Sequence, residues 1–229
     1  IPSSFPFFRC FSLTNIAVNP QNPAFSGLNG VMFSKAQDRL ITYPPGKRGG
    51  YVVPASVTSI EDYAFRECFA LQSVIIASTV TNIGEFAFFG CASLTNVDIP
   101  EGVTSIGGAA FSRCGALTRV VIPSSVTNLA SSFSDCTRLK SVAFNGRAVG
   151  DGSFSGCTGL KEVVFGSGVT SIGDNGFSGC KGLTNVTLAQ SMTNIGDYAF
   201  AECVALAAIT IPSNVTSIGH QAFMLCTNL

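Results

Sequence analysis

Between Leu94 and Cys114 the apolar side chains fall into three groups separated by polar gaps. In the first, Leu94, Val97 and Ile99, the last two alternate with Asn96 and Asp98 at the period of 2 that marks a strand. Pro100 follows and cannot donate to a ladder, so pairing stops there. In the second, Val103 and Ile106 turn another apolar edge inward ahead of Gly107, whose tolerance of positive φ suits a sharp bend. The third, Ala110, Phe111 and Cys114, has the i, i+1, i+4 spacing of a single helical turn that buries one side. The pattern predicts strand, bend and helical turn within about two dozen residues.

The unit recurs. Cysteines stand at 10, 68, 91, 114, 136, 157, 180, 203 and 226, so after a first gap the spacings are 23, 23, 22, 21, 23, 23 and 23. Phe precedes each Cys by three (Phe7, Phe65, Phe88, Phe111, Phe133, Phe154, Phe177, Phe200, Phe223), and Leu follows by three from Leu71 to Leu206. One such unit cannot bury its own apolar edges, whereas stacked units cover each other with continuous Leu, Ile, Phe and Cys ladders. The fold class expected is therefore a solenoid with a parallel β-sheet on one face and about 23 residues per repeat. Eight or nine coils at about 4.8 Å would make a curved rod on the order of 40 Å long.

The pattern L-x-x-V-x-I-P-x-x-V-T-x-I-G-x-x-A-F-x-x-C resembles the BspA-type (Treponema pallidum-type) leucine-rich repeat over residues 51–229, with a partial unit at 7–18. The resemblance implies a leucine-rich-repeat solenoid, a right-handed superhelix with the parallel sheet on its concave face and short strands and single helical turns outside. It departs from the commoner leucine-rich repeat, whose Asn or Cys after the strand is replaced here by residues such as Gly102 and Ser125. Residues 1–229 are expected to form a single repeat domain, a fragment of a longer array. Within it, residues 19–50 do not repeat and read as a hairpin-bearing insertion. Asn19-Pro20-Gln21-Asn22-Pro23 is turn chemistry, Val31 to Ser34 and Leu40 to Tyr43 read as strands around Lys35 to Asp38, and Pro44 to Gly50 reads as a loop. The units from Phe133 to Cys157 are short, with Gly146 to Gly152 where Val-Thr-x-Ile-Gly would stand, which predicts a local defect in the outer face.

Composition narrows the chemistry. Of 229 residues 46% are hydrophobic and only 11% charged, with 13 Lys+Arg against 13 Asp+Glu, so no basic field to attract phosphates is expected, and no nucleic-acid partner. Pro, Gly, Ser, Thr or Asn interrupts each apolar run well before the ~20 residues of a spanning helix, and no membrane insertion is expected within this chain. No signal peptide is visible in the first residues. The cysteines form no Cys-x-x-Cys pair and share one slot beside Phe and Leu, so they read as buried free thiols rather than metal ligands or disulfides. His220, the one histidine, occupies the slot of Asp197, Gly108 and Glu85 and should face solvent. Gly166-Ser167-Gly168 and Gly146 to Gly152 match no phosphate-binding loop, and Glu61-Asp62 is the sole acidic pair at a bend. The Asn185-Val186-Thr187 and Asn214-Val215-Thr216 sequons read as by-products of a Thr-rich repeat. No catalytic constellation, cofactor or metal site emerges, and no enzyme is expected.

Surface remains. Residues two and four after each strand Leu point away from the core, and unlike core positions they vary. The candidate binding patch is Ser73, Ile75, Asn96, Asp98, Arg119, Val121, Ser141, Glu162 and Val164, where Ile75, Val121 and Val164 place apolar groups on a face that could have been polar. β-propensity alone would also put one exposed β-branched residue on a strand. The resemblance implies a non-catalytic scaffold of a secreted or cell-surface protein that binds a host matrix or cell-surface protein in adhesion. An architectural spacer, or an accessory recognition domain of a larger enzyme, are the other readings the sequence leaves open.

Overall fold

The computed structural model describes residues 6–229; residues 1–5, the start of the repeat domain expected over 1–229, lie outside the described residues. Seven coils each contribute one longer strand: β4 (Gly49–Val52), β6 (Leu71–Ile75), β8 (Asn96–Asp98), β10 (Arg119–Ile122), β12 (Ser141–Phe144), β14 (Glu162–Phe165) and β16 (Asn185–Thr187). All pair in parallel within two runs, β4-β6-β8 and β10-β12-β14-β16, and a bridge from Thr187 to Thr210 extends the second. A second ladder is built from the two-residue strands β5 (Ser59–Ile60), β7 (Asn82–Ile83), β9 (Ser105–Ile106), β11 (Asn128–Leu129), β13 (Ala148–Val149), β15 (Ser171–Ile172), β17 (Asn194–Ile195) and β18 (Ser217–Ile218). The chain is thus a parallel-sheet solenoid of about eight coils, and its short-strand ladder breaks between β11 and β13, beside the irregular Gly146 to Gly152 stretch.

The third side of each coil, the turn side, is not a helix. Ala64, Arg66 and Cys68 donate back to the carbonyls of Glu61, Tyr63 and Phe65, whereas Tyr63, Phe65 and Glu67 donate onward to Glu85, Ala87 and Phe89 of the next coil. A helix sends its N–H groups to i−4 within the same segment, so a turn that shares alternate ones with its neighbour cannot continue as one. The alternation is imposed by left-handed residues five and one before each Cys, such as Ala109 (φ 54) and Arg113 (φ 60). Gly107 has no positive φ; it is glycine because a Cβ there would lie 2.6 Å from the Glu85 backbone nitrogen of the preceding coil. Gly84, Gly173, Gly196 and Gly219 meet the same obstruction.

Phe65, Phe88, Phe111, Phe133, Phe154, Phe177, Phe200 and Phe223 form a continuous ring stack with neighbouring centroids 4.6 to 5.6 Å apart. Tyr43 closes its lower end, 4.9 Å from Phe65. Leu, Val, Ile and Cys columns surround the stack in one core. Each Cys from Cys91 onward donates its thiol to the Phe carbonyl of the preceding coil, as Cys114 Sγ does to Phe88 at 3.3 Å and Cys180 to Phe154 at 3.2 Å. All nine thiols are free; Cys10 is exposed and Cys226 half-buried. Burial drives the Cys114 thiol up to about 12, opposed in part by a hydrogen bond from the backbone at Cys91, so it stays protonated and unreactive at neutral pH.

Within residues 19–50, β1 (Phe25–Leu28) and β2 (Val31–Ser34) form an antiparallel hairpin, and β2 continues antiparallel to β3 (Arg39–Thr42). β3 in turn pairs parallel with β5, which makes it the first rung of the short-strand ladder as well as an arm of the hairpin. The stretch read as a loop, Pro44 to Gly50, already enters β4 at Gly49. Glu61 occupies a slot that is Gly84 and Gly107 in later coils, and holds Arg39 by a two-point contact that includes Nε to Oε1 at 2.9 Å. The turn of residues 7–13 repeats the coil pattern, with Cys10 N–H donating to Phe7 at 3.1 Å and the Phe11 ring 5.2 Å from Phe69.

Truncating a ring in the stack removes contacts to both neighbours. Phe111→Ala should cost about 3 to 5 kcal/mol in urea unfolding, whereas Asn96→Ala on the exposed side of β8 should change stability little. Native protein should resist a thiol reagent at Cys68 to Cys203 that labels all nine cysteines after denaturation, with Cys10 and Cys226 reacting first; rapid native labelling of most would refute the buried column.

Candidate functional site

The core claims every second residue of the long strands, and the register fixes what the others present. Gly50 pairs with Ser73, Ser73 with Asn96, Arg119 with Ser141, Ser141 with Glu162 and Glu162 with Asn185. These form one outward row. Val52 pairs with Ile75, Ile75 with Asp98, Val121 with Ala143, Ala143 with Val164 and Val164 with Thr187, which form the other. All nine residues of the sequence-derived patch lie in these rows, with Ser141 half-buried and the others exposed. Pairing lapses between β8 and β10, so the face consists of two ladders that meet between Asp98 and Val121.

Its apolar members are unusually open for side chains of their type: Ile75 is 58% exposed and Val164 55%, against 2% for Val74 and Val163 beside them. Nothing among the described residues covers them. Among the described residues, Asp98, Arg119 and Glu162 make no ion pair, since the four present join Arg39 to Glu61, Arg66 to Glu67, Arg113 to Asp135 and Lys181 to Glu202. The patch therefore combines uncovered apolar groups with uncompensated charges of both signs.

Three parts of the face lie outside the nine-residue patch or only partly within it. Val52, 63% exposed, extends the apolar row by one coil; counting outward positions from each strand Leu misses it, because this coil has Arg48 where the Leu would stand. Two adjoining shallow hollows, of about 210 and 190 Å³, run from Glu162 and Val164 over the outward Asn185, Thr187 and Thr210 and the neighbouring Leu188 and Ile209. Each is smaller than a cofactor pocket and suits one inserted side chain. Only their backbone placement, where the ladder thins to a single bridge, brings these residues together.

The other candidates have structural explanations. Asp62 Oδ1 accepts the Glu85 N–H at 2.7 Å, and Asp151, Asp174 and Asp197 each cap the equivalent N–H of the following coil, the last on His220 at 2.6 Å. This aspartate column explains the Glu61-Asp62 bend and was missed because each Asp stands alone in its unit. The exposed His220 ring packs edge-on to Tyr198 at 5.6 Å. Among the described residues no group of three or more His, Cys, Asp or Glu is arranged to hold a metal ion, and no helix is long and apolar enough to cross a membrane.

Comparisons with known proteins agree with this architecture. The family model of the BspA type leucine rich repeat region matches residues 51–148 and 147–229. A leucine-rich repeat protein from Eubacterium ventriosum is similar over 94% of this chain and 53% of its own, with 28% identity and a TM-score of 0.71. A leucine rich cell surface protein from Faecalibacterium prausnitzii is 30% identical over 86% of this chain and 56% of its own, also with a TM-score of 0.71. The T. pallidum leucine rich repeat protein is 28% identical, covering 83% of this chain and 82% of its own, with a TM-score of 0.65. The chain thus spans about half the length of the first two. No curated protein matches it.

Because Ile75 and Val164 are open whereas Val163 is enclosed, Ile75→Thr and Val164→Thr should each shift unfolding free energy by less than about 0.5 kcal/mol. Val163→Thr, which buries a hydroxyl, should cost about 1 to 3 kcal/mol. Equal costs measured in urea would reverse the assignment of the strand faces.

Proposed function

Since the chain belongs to the BspA-type leucine-rich repeat family, we propose that it is a non-catalytic protein-binding scaffold that recognises its partner through the outward rows of β4 to β16. The observation that carries this reading is the run of open Val52, Ile75, Val121 and Val164 beside the unpaired Asp98, Arg119 and Glu162. β-propensity alone would account for one such residue on a strand, but four of the six rungs from β4 to β14 carry an exposed branched apolar group in the same row, and interfaces concentrate their energy in such groups together with Arg. Surface display is supported by the likeness to the F. prausnitzii cell surface protein. The partner proposed is a host matrix or cell-surface protein, held in adhesion. Individually small hollows at Asn185 to Thr210 would seat side chains of that partner rather than a small molecule.

The reading is tested on a panel of immobilised extracellular-matrix glycoproteins. Replacing Arg119 and Val121 together by Ala should weaken the binding found by at least about tenfold, equivalent to ~1.4 kcal/mol, and leave the melting temperature unchanged. Binding that survives the double change but disappears on deletion of residues 19–38 would move the site to the hairpin. An array that binds none of the panel would favour the spacer reading.

A further inference from the structure

Charge that cancels over the whole chain does not cancel locally. Arg138 and Lys140 in one coil and Lys161 in the next are exposed where the chain leaves its turn and enters β12 and β14. Lys140 and Lys161 are stacked in register, since the Lys161 N–H donates to the Lys140 carbonyl at 2.9 Å. The Lys161 ammonium reaches over the following coil, where a Cβ on Gly182 would lie 3.2 Å from Nζ. Lys181 lies next to Gly182 in that coil and is paired to Glu202 at 3.6 Å. Among the described residues, Arg138, Lys140 and Lys161 have no ion-pair partner. Acidic groups collect instead on the turn side, where Asp151, Asp174 and Asp197 are spent on backbone N–H groups. The acids nearest the rim in sequence are Glu162, which faces the outward row of β14, and Asp135, three residues before Arg138 and paired to Arg113 at 3.7 Å.

We propose that this rim binds an extended sulfated glycan, with Arg138, Lys140 and Lys161 engaging sulfate groups along the polymer. Charge complementarity favours a polyanion, because exposed cations on neighbouring coils, whose backbones lie about 4.8 Å apart, can be met together by a chain of anions laid across them. The rim's neighbours choose among polyanions. Residues 137–141, 158–162 and 181–184 include no aromatic side chain on which bases could stack, as proteins that bind single-stranded nucleic acid use. They include Thr137, Thr158 and Thr184, all exposed, whose hydroxyls match the hydroxyl-rich edges of a sugar. The site is distinct from the outward rows of the long strands and does not rest on their role in protein binding.

The test uses the full chain on immobilised heparin, with desulfated heparin, a single-stranded oligonucleotide and anionic lipid vesicles as competitors. Retention at low ionic strength should fall as salt screens the contacts, and only sulfated heparin should compete efficiently. Changing Arg138→Ser, Lys140→Thr and Lys161→Thr together should lower heparin affinity at least about tenfold without lowering the melting temperature. A control carrying Lys35→Ser, Arg48→Ser and Arg147→Ser, with the same change in net charge, should bind like the parent. Lys140→Arg, which keeps the charge, should do so too, and serves if the triple variant folds poorly. Unchanged affinity of the triple variant, equal loss in the control, or equal competition by desulfated heparin, oligonucleotide or vesicles would overturn the proposal.

Discussion

Everything in this molecule depends on the backbone hydrogen bonds that run from each coil to the next. They occur on all three sides: in the long-strand ladders, in the short-strand ladders and in the alternating N–H groups of the turns. Because a bonded neighbour lies about 4.8 Å away, each side chain meets the residue in the same slot one coil on. Like must therefore stack on like. Phe stacks on Phe with nearly parallel rings, as for Phe88 and Phe111 at an interplanar angle of 5°, and a lone large residue in a small slot would collide with its neighbour. The repeat in the sequence is the imprint of that geometry.

The same constraint sets the costs the chain accepts. Left-handed residues recur at two positions in each turn, and most are not glycine: Tyr63, Glu67, Phe86, Ala109 and Arg113 all have positive φ. Each is disfavoured by roughly 1 to 2 kcal/mol, which the onward hydrogen bonds offset by giving buried N–H groups partners they would otherwise lack. The cysteine thiols serve a similar end. A methyl group would fill the slot, but only a small donor can also reach the Phe carbonyl of the coil below. Oxidation of these thiols to disulfides would remove the S–H groups that the ladder employs.

Freedom is left only where a side chain meets no equivalent neighbour in the core. The outward rows of the long strands and the rim at Arg138 to Lys161 are such places, and there the residues change from coil to coil while Leu, Val, Phe and Cys do not. Apolar and charged groups can be set independently at each rung, so one rigid scaffold carries many different surfaces. Small local departures, such as the break in pairing between β8 and β10, interrupt the ladder without disturbing the ring stack beneath.

The sequence by itself determined the coil length, the strand with its Pro stop, the inward Leu, Val, Ile, Phe and Cys columns, the irregular short-strand face near Gly146, and the outward strand positions from Ser73 to Val164. These follow from local periodicity multiplied by repetition, since each unit states the same pattern again and errors in one are corrected by the others. What the tertiary structure decided concerns interactions between coils, or residues that do not repeat. The turn is not helical because Tyr63, Phe65 and Glu67 give their N–H groups to another coil, a partner that spacing within one unit cannot reveal. Gly107 is fixed by the Glu85 backbone beneath it rather than by its own torsion angle. Val52, the hollows at Asn185 to Thr210 and the basic rim exist only once distant residues have been stacked in register, because a solenoid brings together positions some 23 residues apart that have no local signature in common.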